Sequence, residues 1–294
     1  MKQILISLIL FSTISFATTI NVPADYSTIQ EGIDASNNGD MVFVSSGTYN
    51  ETINFNGKSI IVLGEDPITT IIDGDGTNYN MVKITGGADN TTQLNGFTIK
   101  NGNYGQPGTV LISQNSHPSL SNLIIENNTC SNCEGGGIFI NDNSSSIITN
   151  CIIRNNTAYR GGGIYVQDAN VTINNTQIHN NLSNHDGGGL YILDSEVDIE
   201  SCLVKDNHSD NVGGGILQKG SLDISFTEIS LNSANDVGSA FAVINHGNTN
   251  ILNCTIVENT SGGGNSQGVI MLEEESGNVA EPVYISNSIL WENN

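Results

Sequence analysis

Positive charge is what this chain most lacks: Lys and Arg number 8 against 30 Asp and Glu, for a formal net charge of −22 over 294 residues. A protein that grips nucleic acid needs clustered cations to displace the counterions of the phosphates, so that partner class is excluded. The balance suits cations and neutral or cationic glycans, and it equally serves the solubility of a large surface. Long apolar runs are missing too. The stretch from Ile4 to Phe16 is too short to span a bilayer. With Lys2 ahead of it and the small residues Ser15 and Ala17 behind, residues 1–17 have the pattern of an export signal, after which the mature chain starts near Thr18 without a transmembrane segment. The protein is therefore expected to be secreted or held at the cell surface.

Cysteines are few. Cys151, Cys202 and Cys254 recur at one repeat position in alternate repeats, too far apart to pair, and read as small core residues. Cys130 and Cys133 share a short loop, where an exported protein could close a disulfide; free thiols are the alternative. No phosphate-binding loop is present either, because the glycine runs recur and none is followed by Lys and Ser or Thr.

What is abundant is asparagine at a fixed interval: Asn128, Asn156, Asn181, Asn207, Asn232, Asn259 and Asn293. Such a period is that of one solenoid turn stacked on the next. Three positions before each asparagine stands an aliphatic residue, from Ile125 and Ile153 to Leu290, and eight before it another, from Leu120 and Ile148 to Ile285. These are inward columns, and their local period of two means strands. Between them runs a second polar row, Asn122, Asn150, Asn175, Ser201, Asn253 and Asn287, broken by Phe226, where the parity changes and a bend belongs. Asparagine suits both rows, since it tolerates left-handed backbone and its amide can bond the same amide above and below. A third strand follows each glycine corner, as at Gly135-Gly136-Gly137-Ile138 and Gly161-Gly162-Gly163-Ile164. Three strands per turn describe an all-β parallel β-helix of about ten rungs, a rod of roughly 50 Å.

The opening from Val22-Pro23-Ala24-Asp25-Tyr26-Ser27-Thr28-Ile29-Gln30-Glu31-Gly32-Ile33-Asp34 through Gly39-Asp40-Met41 to Gly47-Thr48-Tyr49, with Lys58, Gly64 and Ile72-Asp73-Gly74, resembles secreted right-handed β-helix proteins of the pectin-lyase-like superfamily. The glycine-led rungs are similar to the repeats of polymorphic outer-membrane proteins. The resemblance implies a right-handed single-stranded coil over residues 41–294, preceded by a cap at 18–40. In that cap Thr28 and Glu31 form a capping box, and Ile29 and Ile33 plug the first rung. It leaves the chemistry open, since lyases, hydrolases, esterases and adhesins share the architecture.

The motifs of the enzymes in that superfamily are mostly missing. Gln167-Asp168-Ala169 only faintly echoes the Gln-Asp-Thr of pectinesterases, whose second aspartate motif is absent, and His185-Asp186-Gly187 does not replace the polygalacturonase set. A lyase resembling this family would need calcium and an arginine base; Arg154 is the candidate, although it is expected to pair across strands with Glu126 and lie beside His179. His117, His179, His185, His208 and His246 occupy different repeat positions, which argues against a metal cluster. Two columns remain. Asp142, Asp168 and Asp194 align on three rungs and could hold calcium, or else accept bonds in turns. Phe139, Tyr165 and Tyr191 point outward and, if exposed, could stack on sugar rings, or else pack on one another. The sequence thus points to an exported, non-catalytic surface, adhesive or glycan-binding module needing no cofactor, with a calcium-assisted polysaccharide lyase as the alternative. Residues 260–282 enlarge the last rung as a side loop, and the uncapped final rung is expected to continue into a further domain.

Overall fold

The computed structural model describes residues 17–75, 80–103, 105–244, 247–262, 268–273 and 282–293. The expected export signal falls outside them except for Ala17, as do His246, Gly263 and Gly264, and Glu274 and Glu275 of the expected side loop. The chain winds as a parallel β-solenoid in three sheets, of eighteen, ten and six described strands. The large sheet takes two strands from each rung, such as Ile138–Ile140 and Ser145–Thr149; the second takes the next strand, such as Ile152–Arg154; the third takes a short one, such as Thr157–Arg160.

Both inward columns fill the interior. Ile125, Ile153, Ile178, Val204, Ile229 and Ile256 are 0 % exposed, and they face Leu120, Ile148, Ile173, Ile199, Ile224 and Ile251 at no more than 1 %. The registers place these residues directly over one another. Burial of such stacked aliphatics supplies most of the stability, since no single rung encloses a core.

The two polar rows divide work that the sequence reading gave to both. The row at the parity break is the bend: Asn122, Asn150, Asn175, Ser201, Phe226, Asn253 and Asn287 all have φ between +48° and +55°. The periodic asparagines are the ladder. Each buried one donates its backbone N–H and its side-chain Nδ2 to Oδ1 of the next, at 2.9–3.2 Å from Asn128 to Asn293, and Nδ2 also reaches a carbonyl such as Ile125 O or Ile153 O. Left-handed backbone belongs instead to the residue before each of them, from Asn127, Asn155 and Asn180 to Leu231 and Glu292. The third corner is glycine: Gly161 has φ +63°, and a Cβ on Gly162 would lie 2.5 Å from Leu182 O, so neither accepts a side chain.

At the amino end α1 (Ile29–Ala35) seals the coil with Ile29 and Ile33, both fully buried. Thr28 and Glu31 form the capping box. Glu51 accepts from the N–H groups of Ile29 and Gln30, and Lys58 Nζ donates to the carbonyls of Ile33, Asp34 and Ser36 at 2.7–2.8 Å. Each charge thus meets the helix end of opposite polarity. The last described rung has no such plug, and Ile285 and Leu290, which continue the inward columns, are 41 % and 48 % exposed.

Candidate functional site: two outer faces of the large sheet

The aromatic column does face outward from the first strand of each rung, in the register Leu111, Phe139, Tyr165, Tyr191, Leu217, Ala242 and Met271. It is not exposed, which corrects the expectation of a free stacking surface: Phe139, Tyr165 and Tyr191 are 6 %, 3 % and 3 % exposed. Val212 and Val237, from the corners leading into this strand, pack with Leu217 and the rings as an apolar layer outside the coil. The rings also cover each other, with centroids 5.3 Å apart for Phe139 and Tyr165 and 4.8 Å for the nearly parallel Tyr165 and Tyr191. Burial pushes the Tyr191 hydroxyl up to about 12, and burial and Tyr191 also raise that of Tyr165.

A polar network edges this layer. The Arg160 guanidinium lies over the rings of Tyr159 and Tyr191, and its Nε is 3.7 Å from the buried Asp186 carboxylate. Asp186 also has His185 Nδ1 at 2.7 Å and accepts from Asn211 Nδ2 at 2.8 Å. Arg160 Nε and His185 Nδ1 are buried without a well-directed hydrogen bond, so these groups are close to the carboxylate but poorly aligned. No sequence motif links these side chains, because Arg160, Asp186 and Asn211 come from neighbouring rungs.

Arg154 lies between Glu126 and His179 in register, and its Nη2 and Nε reach Glu126 Oε2 at 2.6 and 2.7 Å. Asp142, Asp168 and Asp194 stand at exposed left-handed turns, φ +55°, +48° and +47°, a conformation aspartate adopts more readily than most residues. Among the described residues no group of three or more His, Cys, Asp and Glu is placed to hold a metal ion, and no helix is long and apolar enough to cross a membrane. Cys130 and Cys133 are joined as a disulfide with Cα atoms 5.4 Å apart. Cys151, Cys202 and Cys254 are free and buried, and burial pushes the Cys151 thiol up to about 12 and that of Cys202 to about 11. Such thiols stay protonated and pack.

Besides a hollow of about 610 Å³ beside Val212, Val237 and Met271 at the far end of the apolar layer, a concave surface lies on the outer face of the second strand of each rung. One hollow of about 430 Å³ is lined by His117, Ser145, Asn170, Thr172, Glu196 and Asp198, among others. A second, of about 420 Å³, shares Thr172 and Asp198 and runs on past Glu200, Asp223 and Asn250. The registers place Ser119, Ile147, Thr172, Asp198, Asp223 and Asn250 on successive rungs, so the two hollows form one trough along the coil. Ser145 N–H donates to His117 Nδ1 at 3.1 Å, with Ser145 Oγ at 2.8 Å. With Nδ1 accepting, Nε2 is the ring nitrogen left to act as a donor toward the hollow. Burial, then Asp223 and Glu196, raise the Asp198 carboxyl above its ordinary value.

Among solved structures, Escherichia coli ybhc is similar over 100 % of this chain and 87 % of its own at 12 % identity and a TM-score of 0.44. Pectin methylesterase from carrot is similar over 96 % and 84 % at 12 % identity and 0.40, and that from Aspergillus niger over 92 % and 89 % at 12 % and 0.36. These values carry no inference about activity. No curated protein matches the chain. The family model described as right handed beta helix region matches residues 18–279, most of the chain, and with the stacked parallel rungs this makes the chain a member of the right-handed β-helix family.

Proposed function

We propose that this protein is an exported, non-catalytic β-helix that binds an extended polysaccharide along the trough of its large sheet. The observation that carries the reading is the trough itself: two joined hollows on consecutive rungs, lined by hydroxyl, amide, imidazole and carboxylate groups, with Ile147 and Leu252 exposed by 50 % and 40 %. Polar rows bind sugar hydroxyls, and aliphatic patches receive the C–H faces of the rings. The rise of one rung, about 4.8 Å, is close to the length of one sugar in an extended chain, so successive residues meet equivalent sites.

The aromatic column supports the wall beside the trough in this reading and makes no sugar contact. Calcium at Asp142, Asp168 and Asp194 has no part in it, because the turn conformation accounts for those residues. Arg154 is engaged by Glu126 rather than free to act as a base. Affinity electrophoresis through gels containing a panel of soluble polysaccharides tests the proposal. At least one polymer should retard the protein, and Asn170→Ala with Thr172→Ala should weaken that retardation; free migration through every gel overturns it. A parallel incubation with uronate polymers and calcium should give no unsaturated product, and product that disappears with Arg154→Ala would establish the lyase instead.

A further inference from the structure

The charge of the trough narrows the ligand class, an inference that rests on the trough being the polysaccharide site. Neither hollow is lined by Lys or Arg. Its middle rungs instead carry Glu196, Asp198 and Glu200 on one strand and Asp223 on the next, with Asp198 and Asp223 directly in register. Like charges at that separation oppose each other unless a cation stands between them. Among the described residues, Asn250 Nδ2 relieves the row, donating to Asp223 Oδ1 at 2.6 Å. At the other end the lining has fewer carboxylates: His117, Ser119, Ser145, Asn170 and Thr172 offer hydroxyl, amide and imidazole groups.

We infer that the trough selects a glycan bearing protonated amino groups, seated with its hydroxyls on the His117 to Thr172 end and its ammonium groups on the Asp198 and Asp223 end. A uronate polymer would place its carboxylates against these acids. A neutral polymer would fill the hollow but leave the facing carboxylates uncompensated. An ammonium between adjacent rungs gains two charge-assisted hydrogen bonds, stronger than those between neutral groups.

The test is calorimetric titration of the purified protein, in chelator and mildly acidic buffer, with four soluble oligosaccharides: N-unsubstituted glucosamine oligomers, their N-acetylated counterparts, cello-oligosaccharides and oligogalacturonates. The amino oligomer should bind about 10-fold more tightly than the N-acetylated one, as two or three partly exposed ion pairs allow. That advantage should shrink as salt is raised. Asp198→Asn combined with Asp223→Asn should abolish the preference for the amino oligomer over its N-acetylated counterpart, and Thr172→Lys should weaken the amino oligomer most. Equal affinity for amino and neutral oligomers, or preference for the uronate, overturns the charge inference while the trough stands as a polysaccharide site. Binding of none of the four overturns the inference and removes its basis in the proposed function as well.

Discussion

Tyr165 and Thr172 face outward from consecutive strands of one rung, yet Tyr165 is 3 % exposed while Thr172 lines an open hollow. On the first strand Tyr165 is packed between Phe139 and Tyr191, and Val212 and Val237 from the corners of later rungs extend the same apolar layer. The second strand has no such cover, and its outer positions are Ser, Asn, Thr, Asp and Glu with few exceptions. One face of the large sheet is thus a second core outside the coil, and the neighbouring face meets solvent and ligand. Outward direction on a strand is a matter of parity; exposure depends on what other segments bring.

The largest test of that contrast is a pair of truncations. Tyr165→Ala removes a ring stacked on both sides and should cost about 3 kcal/mol in denaturant unfolding followed by circular dichroism. Thr172→Ala should stay within about 0.5 kcal/mol of the parent. Equal costs would mean that the aromatic layer is no core.

A smaller effect is expected at the edge of the sealed face. Asp186→Asn keeps an acceptor for Asn211 but strips Arg160 and His185 of their carboxylate. With those two side chains 34 % and 36 % exposed, solvent takes up part of the loss, and about 1–2 kcal/mol should be missing from the unfolding free energy. Replacing Arg160 and Asp186 together by Leu should recover much of it, since it leaves neither charge without its partner. A double variant as unstable as the single one would show that the network does more than satisfy its own charges.

How far the sequence reaches can be seen from these same residues. The ladder was legible because Asn156 and Asn181 recur with the period of the coil, and the inward columns because Ile153 and Ile178 keep parity with it. The bends were only half legible. Phe226 and Leu231 have φ +51° and +57° although neither is a turn-former; stacking on Ser201 and Asp206 below imposes the conformation. The extension of the aromatic layer was not legible, because Val212 and Val237 belong to later rungs and nothing in their local pattern points at that layer. The trough was not legible either, since its concavity comes from how rungs pack rather than from any motif.

On the second sheet, which is open like the trough, Arg154→Ala should cost only about 0.2–1 kcal/mol, the range of exposed pairs, because its side chain is 38 % exposed. A cost above that range would put Arg154 with the sealed face instead.

The smallest effect has a sign that distinguishes the amino-terminal cap from the trough. Asp40 accepts from the N–H groups of Asn37 and Thr18, which hold its carboxyl below the usual value, so its contribution to stability is present above that value and lost as pH falls through the folded one. Asp198 runs the other way. Burial, with Asp223 and Glu196, raises its carboxyl, so ionisation costs the folded chain more than the unfolded one. That penalty begins as pH rises past the ordinary aspartate value and is complete above the raised one. Asp198→Asn should therefore stabilise the protein at neutral pH, by less than about 0.5 kcal/mol once solvent screening is allowed for. The gain should vanish in acid below the ordinary aspartate value, where the parent carboxyl is protonated in both states. Asp40→Asn should destabilise at neutral pH and converge on the parent in the same acid range. Unfolding midpoints of the two variants across pH decide the matter: a loss of stability for Asp198→Asn at neutral pH would mean that its carboxylate is already satisfied within the fold, and the trough would have no unmet charge to offer a ligand.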